Sequence, residues 1–138
     1  MTGLLALAGA CGRQEERPSA EPALHQARVA LGASFVGGHA RGLPGLLHAD
    51  LIVQPPAPDT ALRGEPAADY LERLARESRV ERSELRPASV APEGGFLLER
   101  GAGHLSSGDR SFTSRYVIRW RASPAGWQVV LWRWTLFR

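Results

Sequence analysis

Residues 96–137, FLLERGAGHLSSGDRSFTSRYVIRWRASPAGWQVVLWRWTLF, decide the fold. Three strand-like runs, 96–105, 112–121 and 127–137, the last two rich in β-branched and aromatic residues, predict strands. The breaks between them, Ser106-Ser107-Gly108-Asp109 and Ser123-Pro124-Ala125-Gly126, carry turn chemistry. A fourth run over 80–91 precedes them across Pro92-Glu93-Gly94-Gly95. Connections this short require antiparallel pairing, so the C-terminal part of the chain is expected to be a meander. Upstream the period changes. Leu24, Ala27, Leu31 and Phe35 recur at helical spacing, with Ser19 placed to cap, Pro22 in the first turn and Gly37-Gly38 as the stop. A short second helix is expected over 43–48, where Leu43, Leu46 and Leu47 share a face. Leu51-Ile52-Val53 reads as a brief strand ended by Pro55-Pro56, and 57–63 as loop. Gly64-Glu65-Pro66 then opens a third helix carrying Ala67, Tyr70, Leu71 and Leu74 on one face. Three helices followed by an antiparallel sheet make an α+β domain.

Length and composition agree. At 138 residues, 43% hydrophobic and 22% charged, the chain has room for a single core and is too apolar to be disordered. No segment repeats at a fixed period. The formal charge is +3, and all 17 basic residues are arginine. Lysine and asparagine are absent and isoleucine occurs twice, the imprint of GC-rich coding. The charge is uneven: residues 100–138 hold seven arginines against the single acid Asp109. Such a segment could attract an anionic surface or ligand, or it could be the solvated outer face of strands.

The apolar run Gly3-Leu4-Leu5-Ala6-Leu7-Ala8-Gly9-Ala10 is too short to span a bilayer and ends at Cys11, the one cysteine, which excludes an intramolecular disulfide. Leu7-Ala8-Gly9-Ala10-Cys11 resembles the lipobox of bacterial lipoproteins, with Ala8 where the common pattern has a larger aliphatic residue. The resemblance implies acylation of Cys11 and attachment to the cell envelope at a membrane surface. The alternative is that Leu4 to Ala10 opens a core helix and Cys11 is a buried thiol. Residues 1–11 are accordingly read as a signal segment, 12–20 as a polar tether, and 21–138 as the domain.

The ordered features over 21–137 resemble the nuclear transport factor 2-like superfamily, the cone-shaped fold shared by ketosteroid isomerase and the SnoaL-like polyketide cyclases. The residues carrying the resemblance are Gly37-Gly38, the stretch from Leu46 to Pro56, Gly64, Glu99-Arg100-Gly101, Tyr116-Val117-Ile118-Arg119-Trp120 and Gly126-Trp127. The resemblance implies three N-terminal helices on a curved antiparallel sheet, a pocket between them, and dimers formed through the outer sheet face. Ketosteroid isomerases use a carboxylate base, a helix tyrosine and a protonated acid. Those positions fall here on Pro55, on Leu31 and near Tyr116. Proline cannot accept a proton and leucine cannot donate one, so on this alignment that mechanism is excluded.

Site candidates follow from strand alternation. Phe96, Leu98, Arg100, Ala102 and His104 share one face of their strand, Leu97, Glu99 and Gly101 the other, while Tyr116, Ile118 and Trp120 share a face of the next. With the Phe96 set and the Tyr116 set both turned inward, as the resemblance suggests, Arg100, His104, Tyr116, Trp120 and Leu98 line an apolar pocket for a small hydrophobic or anionic ligand. The other reading sends Arg100 to solvent or to Asp69 and leaves Tyr116 in the core. Two functions stay open: a surface-anchored small-ligand-binding or interaction module, and a cyclase or isomerase acting on a hydrophobic carbonyl compound through Arg100, His104 and Tyr116. No metal or cofactor is expected, since no His, Asp and Glu set has ligand spacing. His48 is expected to support its turn. Gly101-Ala102-Gly103 marks a sheet bend, and no nucleophile elbow is present. The last strand is bulky on both faces, through Trp127, Val129 and Leu131 on one and Val130, Trp132 and Trp134 on the other. That predicts a second subunit covering one face. Stacking on nucleic acid beside Arg119, Arg121 and Arg133 is the competing account, and no nucleic-acid partner is expected.

Overall fold

The computed structural model describes residues 21–137; Cys11, the expected signal segment and the expected tether lie outside them. Residues 21–33 form helix α1, with Leu24, Arg28 and Leu31 buried on one face. Strand β1 is Leu47–Gln54, β2 Leu62–Arg63, helix α2 Glu65–Ser78, β3 Arg82–Glu93, β4 Phe96–Ser107, β5 Arg110–Ser123 and β6 Gly126–Phe137. The strands make one six-stranded sheet in the order β2-β1-β6-β5-β4-β3.

The described chain has two helices, not three, because Pro44 and Gly45 hold the expected second one to a single 3-10 turn, Pro44–Leu46. Leu47 onward is captured as an extended edge by β6, with Leu47 opposite Val129. The sheet is also mixed. β1 runs parallel to β6, whereas the short connections fixed only the consecutive pairs β3-β4, β4-β5 and β5-β6 as antiparallel. The segment read as loop contributes β2, two residues paired with Ile52 and Val53.

Helix α2 follows its pattern: Ala67, Leu71 and Ala75 are fully buried against the sheet. Irregularities set which side chains meet the helices. Between β5 and β6 the pairing passes from Trp120 opposite Val129 to Arg119 opposite Leu131, so Val130 is an extra residue on β6. This shift brings Val129 and Trp132 to the same side of the sheet, and Trp127 and Trp134 pack on that core too. Leu131 and Arg133 take the outer side, and the strand that reads as bulky on both faces delivers its tryptophans to one. A second bulge, between Pro87 and Ser89 on β3, faces Gly101. A Cβ at Gly101 would fall 2.2 Å from the Arg86 carbonyl oxygen and 2.7 Å from the Tyr116 hydroxyl, so the glycine is required by close approach of the bent neighbour strand.

Leu71→Ala is expected to cost about 2–5 kcal/mol through the cavity it leaves. Leu136→Ala, at a side chain 61% exposed, should stay within about 0.5 kcal/mol. Urea unfolding of the two variants checks this, and comparable losses would contradict the placement of the core.

Candidate functional site

An apolar cavity of about 430 Å³ lies between the helices and the inner sheet face. Its walls include Phe35 after α1, Leu71 and Leu74 of α2, Leu105 of β4 and Trp132 and Trp134 of β6. The aromatic walls are mutually supported. Phe35 meets Trp132 edge-on with ring centroids 5.6 Å apart, and Trp134 lies 5.6 Å from Trp132 and 6.3 Å from Tyr70. At the rim the Tyr70 hydroxyl donates to Asp59 over 3.3 Å. Burial, followed by the negative charge of Asp59, raises the pKa of Tyr70. The indole Nε1 of Trp132 is buried and has no acceptor among the described residues.

Next to the cavity sits a buried polar cluster. Glu99 is fully buried, and its carboxylate accepts from three side chains on two elements. Arg28 of α1 donates from Nε at 3.0 Å to each oxygen and from a terminal nitrogen at 2.7 Å. Tyr116 donates its hydroxyl at 2.6 Å and Trp120 its Nε1 at 3.2 Å, both from β5. Burial works against the charge of Arg28, yet the hydrogen bond and charge of Glu99 outweigh it and hold the guanidinium above its ordinary pKa. Burial, then the hydrogen bond to Glu99, pushes the Tyr116 phenol up, so it stays protonated as a donor. Tyr116 also lines the cavity, with its one proton already committed to Glu99.

The inward set on β4 is therefore the opposite of the one expected. Glu99 and Gly103 are buried, while Arg100 is exposed and Leu98 and His104 are half-buried on the outer face. Tyr116 and Trp120 are inward as expected, Trp120 in the core and Tyr116 at the cavity wall. The structure thus separates Arg100, His104 and Leu98 from Tyr116 and Trp120 by the thickness of the sheet. A signal for the correct phase is in the sequence. A two-residue turn at Gly108-Asp109 pairs Ser107 with Arg110, and every later pair keeps the same sum of residue numbers. Tyr116 then faces Gly101, and Ile118 faces Glu99, so an inward Tyr116 requires an inward Glu99. Trp132 and Phe35 had no comparable local signal. Among the other candidates, Leu31 is in the core and Pro55 is buried. His48 accepts the Asp50 backbone N–H at its Nδ1 over 3.0 Å, supporting its own strand. Among the described residues no group of three His, Cys, Asp or Glu could hold a metal.

No family model and no curated relative matches the chain. Solved structures do. A nuclear transport factor 2-like protein with a cystatin-like fold from Novosphingobium aromaticivorans superposes with a TM-score of 0.74 at 19% identity, over 92% of this chain and 88% of that one. A proposed dehydratase of the same fold family from Streptomyces avermitilis gives 0.70 at 13% identity, over 87% and 97%. A proposed ketosteroid isomerase from Parabacteroides distasonis gives 0.57 at 16% identity, over 79% and 80%. The chain therefore has the nuclear transport factor 2-like fold, with a curved mixed sheet. At such identities the likeness is one of fold.

Tyr116→Phe removes a hydrogen bond to a charged acceptor and should cost about 1.5–3 kcal/mol. Glu99→Gln leaves the Arg28 charge without its partner and should cost about 3–5 kcal/mol. Because the Tyr116 pKa is raised on folding, its contribution is complete below the ordinary tyrosine value near 10 and is lost as the pH rises through the folded-state value. In Tyr70→Phe protein, where Tyr116 is the one tyrosine left, phenolate absorbance should therefore rise only together with alkaline unfolding. Titration at the ordinary value in the folded protein would refute the buried Tyr116 to Glu99 bond.

Proposed function

We propose that this is a small-ligand-binding module whose cavity takes a small hydrophobic compound, displayed at the cell envelope through acylation of Cys11. The observation that carries the binding reading is the cavity itself. It is walled by aromatic and aliphatic side chains, among them Phe35, Leu71, Leu74, Trp132 and Trp134. Binding is favoured over a cyclase or isomerase built on Arg100, His104 and Tyr116, because those three do not share a face of the sheet. Tyr116 has in addition no proton to offer a substrate while it donates to Glu99. The dehydratase and isomerase names among the fold neighbours keep catalysis as the rival reading. Attachment rests on the lipobox-like Leu7 to Cys11 stretch alone.

Native mass spectrometry of the full chain, extracted from bacterial membranes in mild detergent, tests both parts. The account expects a protein mass raised by acyl chains that Cys11→Ser abolishes. It also expects a retained small molecule that Leu74→Trp, which fills the cavity, displaces without unfolding the domain. A ligand retained equally by Leu74→Trp would contradict the cavity reading, and an unmodified Cys11 would contradict the anchor.

A further inference from the structure

The outer face of the sheet has an arrangement that the cavity does not use. Cross-strand pairing sets Arg86 opposite Ala102 and Ala102 opposite Arg115 in one row. In the next row Arg100 is opposite Val117, and Val117 opposite Arg133. Each arginine is thus faced by a small or apolar residue, and no two arginines oppose each other directly. Arg86 and Arg115, like Arg100 and Arg133, stand two strand spacings apart, roughly 10 Å. The result is a checkerboard in which four long cationic side chains ring a shallow basin, with Ala102 and Val117 at its floor.

Arginine stays charged at any physiological pH, so these charges are permanent. Arg100 and Arg133 form no ion pair among the described residues, and Arg86 holds a pair to Glu84 in which both side chains are more than half exposed. Nearby, Arg119 is paired at 2.6 Å with Glu93 and also lies over the Phe96 ring, which sets it apart from the basin group. The backbone donors of β4 and β5 are used in the ladder, so guanidinium groups are the donors this basin offers. A monoanion can satisfy one of them. A ligand with several negative charges can bridge the ring by the paired N–H bonds that arginine makes to phosphate or carboxylate oxygens.

We propose that this basin is a binding site for a soluble, multiply charged phosphate compound of the diphosphate type, held by Arg86, Arg100, Arg115 and Arg133. Its concave shape and apolar floor fit one compact ligand with a small apolar part beside its phosphates. Single-stranded nucleic acid is less suited, because the aromatic rings next to the basin, those of Tyr116 and Trp134, are turned inward. Tyr116 is bound to Glu99, and Trp134 packs on Trp132 and Tyr70, which leaves no stacking platform beside the arginines. A second copy packed with its two-fold axis through the basin would bring the same cationic ring against itself. The site stands on the sheet register and the side-chain charges, independently of what the cavity binds.

The test uses the full chain carrying Cys11→Ser, so that acylation plays no part, and follows inorganic diphosphate binding by titration calorimetry at low salt. Saturable binding with one diphosphate per chain is expected, weakening as salt is raised. Arg100→Ala with Arg133→Ala should weaken it at least tenfold. Arg100→Lys with Arg133→Lys, which keeps the charge but loses the planar fork, should give an intermediate loss. Arg76→Ala, an exposed arginine of α2, should leave it unchanged. Thermal melting of each variant confirms that the fold persists. Equal weakening by Arg76→Ala would overturn the proposal, since it would reduce the effect to overall charge. Absence of diphosphate binding would overturn it too, whether the same protein binds anionic phosphatidylglycerol vesicles, a single-stranded oligonucleotide, or neither.

Discussion

The buried Glu99 carboxylate is the constraint around which the rest of this domain is arranged. A fully buried charge survives only when paired and hydrogen-bonded, and here three donors from α1 and β5 converge on two oxygens. Satisfying it fixes the position of α1 over the sheet through Arg28, which lies 71 residues earlier in the chain. It also settles the phase of β4, because Glu99 can reach those donors only from the inner face. Everything on that strand follows: Gly101 and Gly103 come inward beside the Tyr116 hydroxyl and the Ser114 hydroxyl, and Arg100 goes out. A buried ion pair adds little net stability compared with apolar packing, so what this cluster contributes is a single arrangement of helix on sheet.

The same constraint shapes the chemistry available to the cavity. Tyr116 reaches the cavity wall, but with its proton directed at Glu99 and its pKa raised it acts as a structural donor. The remaining wall is aromatic and aliphatic. The Val130 bulge matters as much, because without the extra residue Trp132 and Trp134 would face solvent and the cavity would lose two of its walls. One inserted residue thus converts a strand that is bulky on both faces into one with an apolar inner and a polar outer side. The outer side is left to arginines spaced by small residues.

Much of the architecture was legible from residue patterns. The meander followed from turn chemistry at Gly94-Gly95, Gly108-Asp109 and Pro124-Ala125, and α2 followed from Ala67, Leu71 and their neighbours. The parallel contact of β1 with β6 was not legible, because nothing in 47–54 names a partner about 80 residues away. The site was legible only in part. Alternation put Tyr116 and Trp120 on one face, and the family resemblance turned that face inward. Arg100 was placed with them because both faces of β4 carry a charge amid apolar residues, and alternation by itself cannot choose between Glu99 and Arg100. The choice is made by hairpin register and by Arg28, a tertiary partner without a local signature. The Val130 bulge is similarly silent, since a strand of valine, leucine and tryptophan reads alike in either phase.

The most direct test of this account is a double-mutant cycle on the pair that joins α1 to β4. Arg28→Met and Glu99→Gln each strand one buried charged group, while the combined variant strands neither charge. The account predicts that the combined variant loses less stability in urea unfolding than the two single losses added together, by about 2 kcal/mol or more. Losses that add to within about 0.5 kcal/mol would mean that Arg28 and Glu99 act independently, and would contradict the organising role given to Glu99.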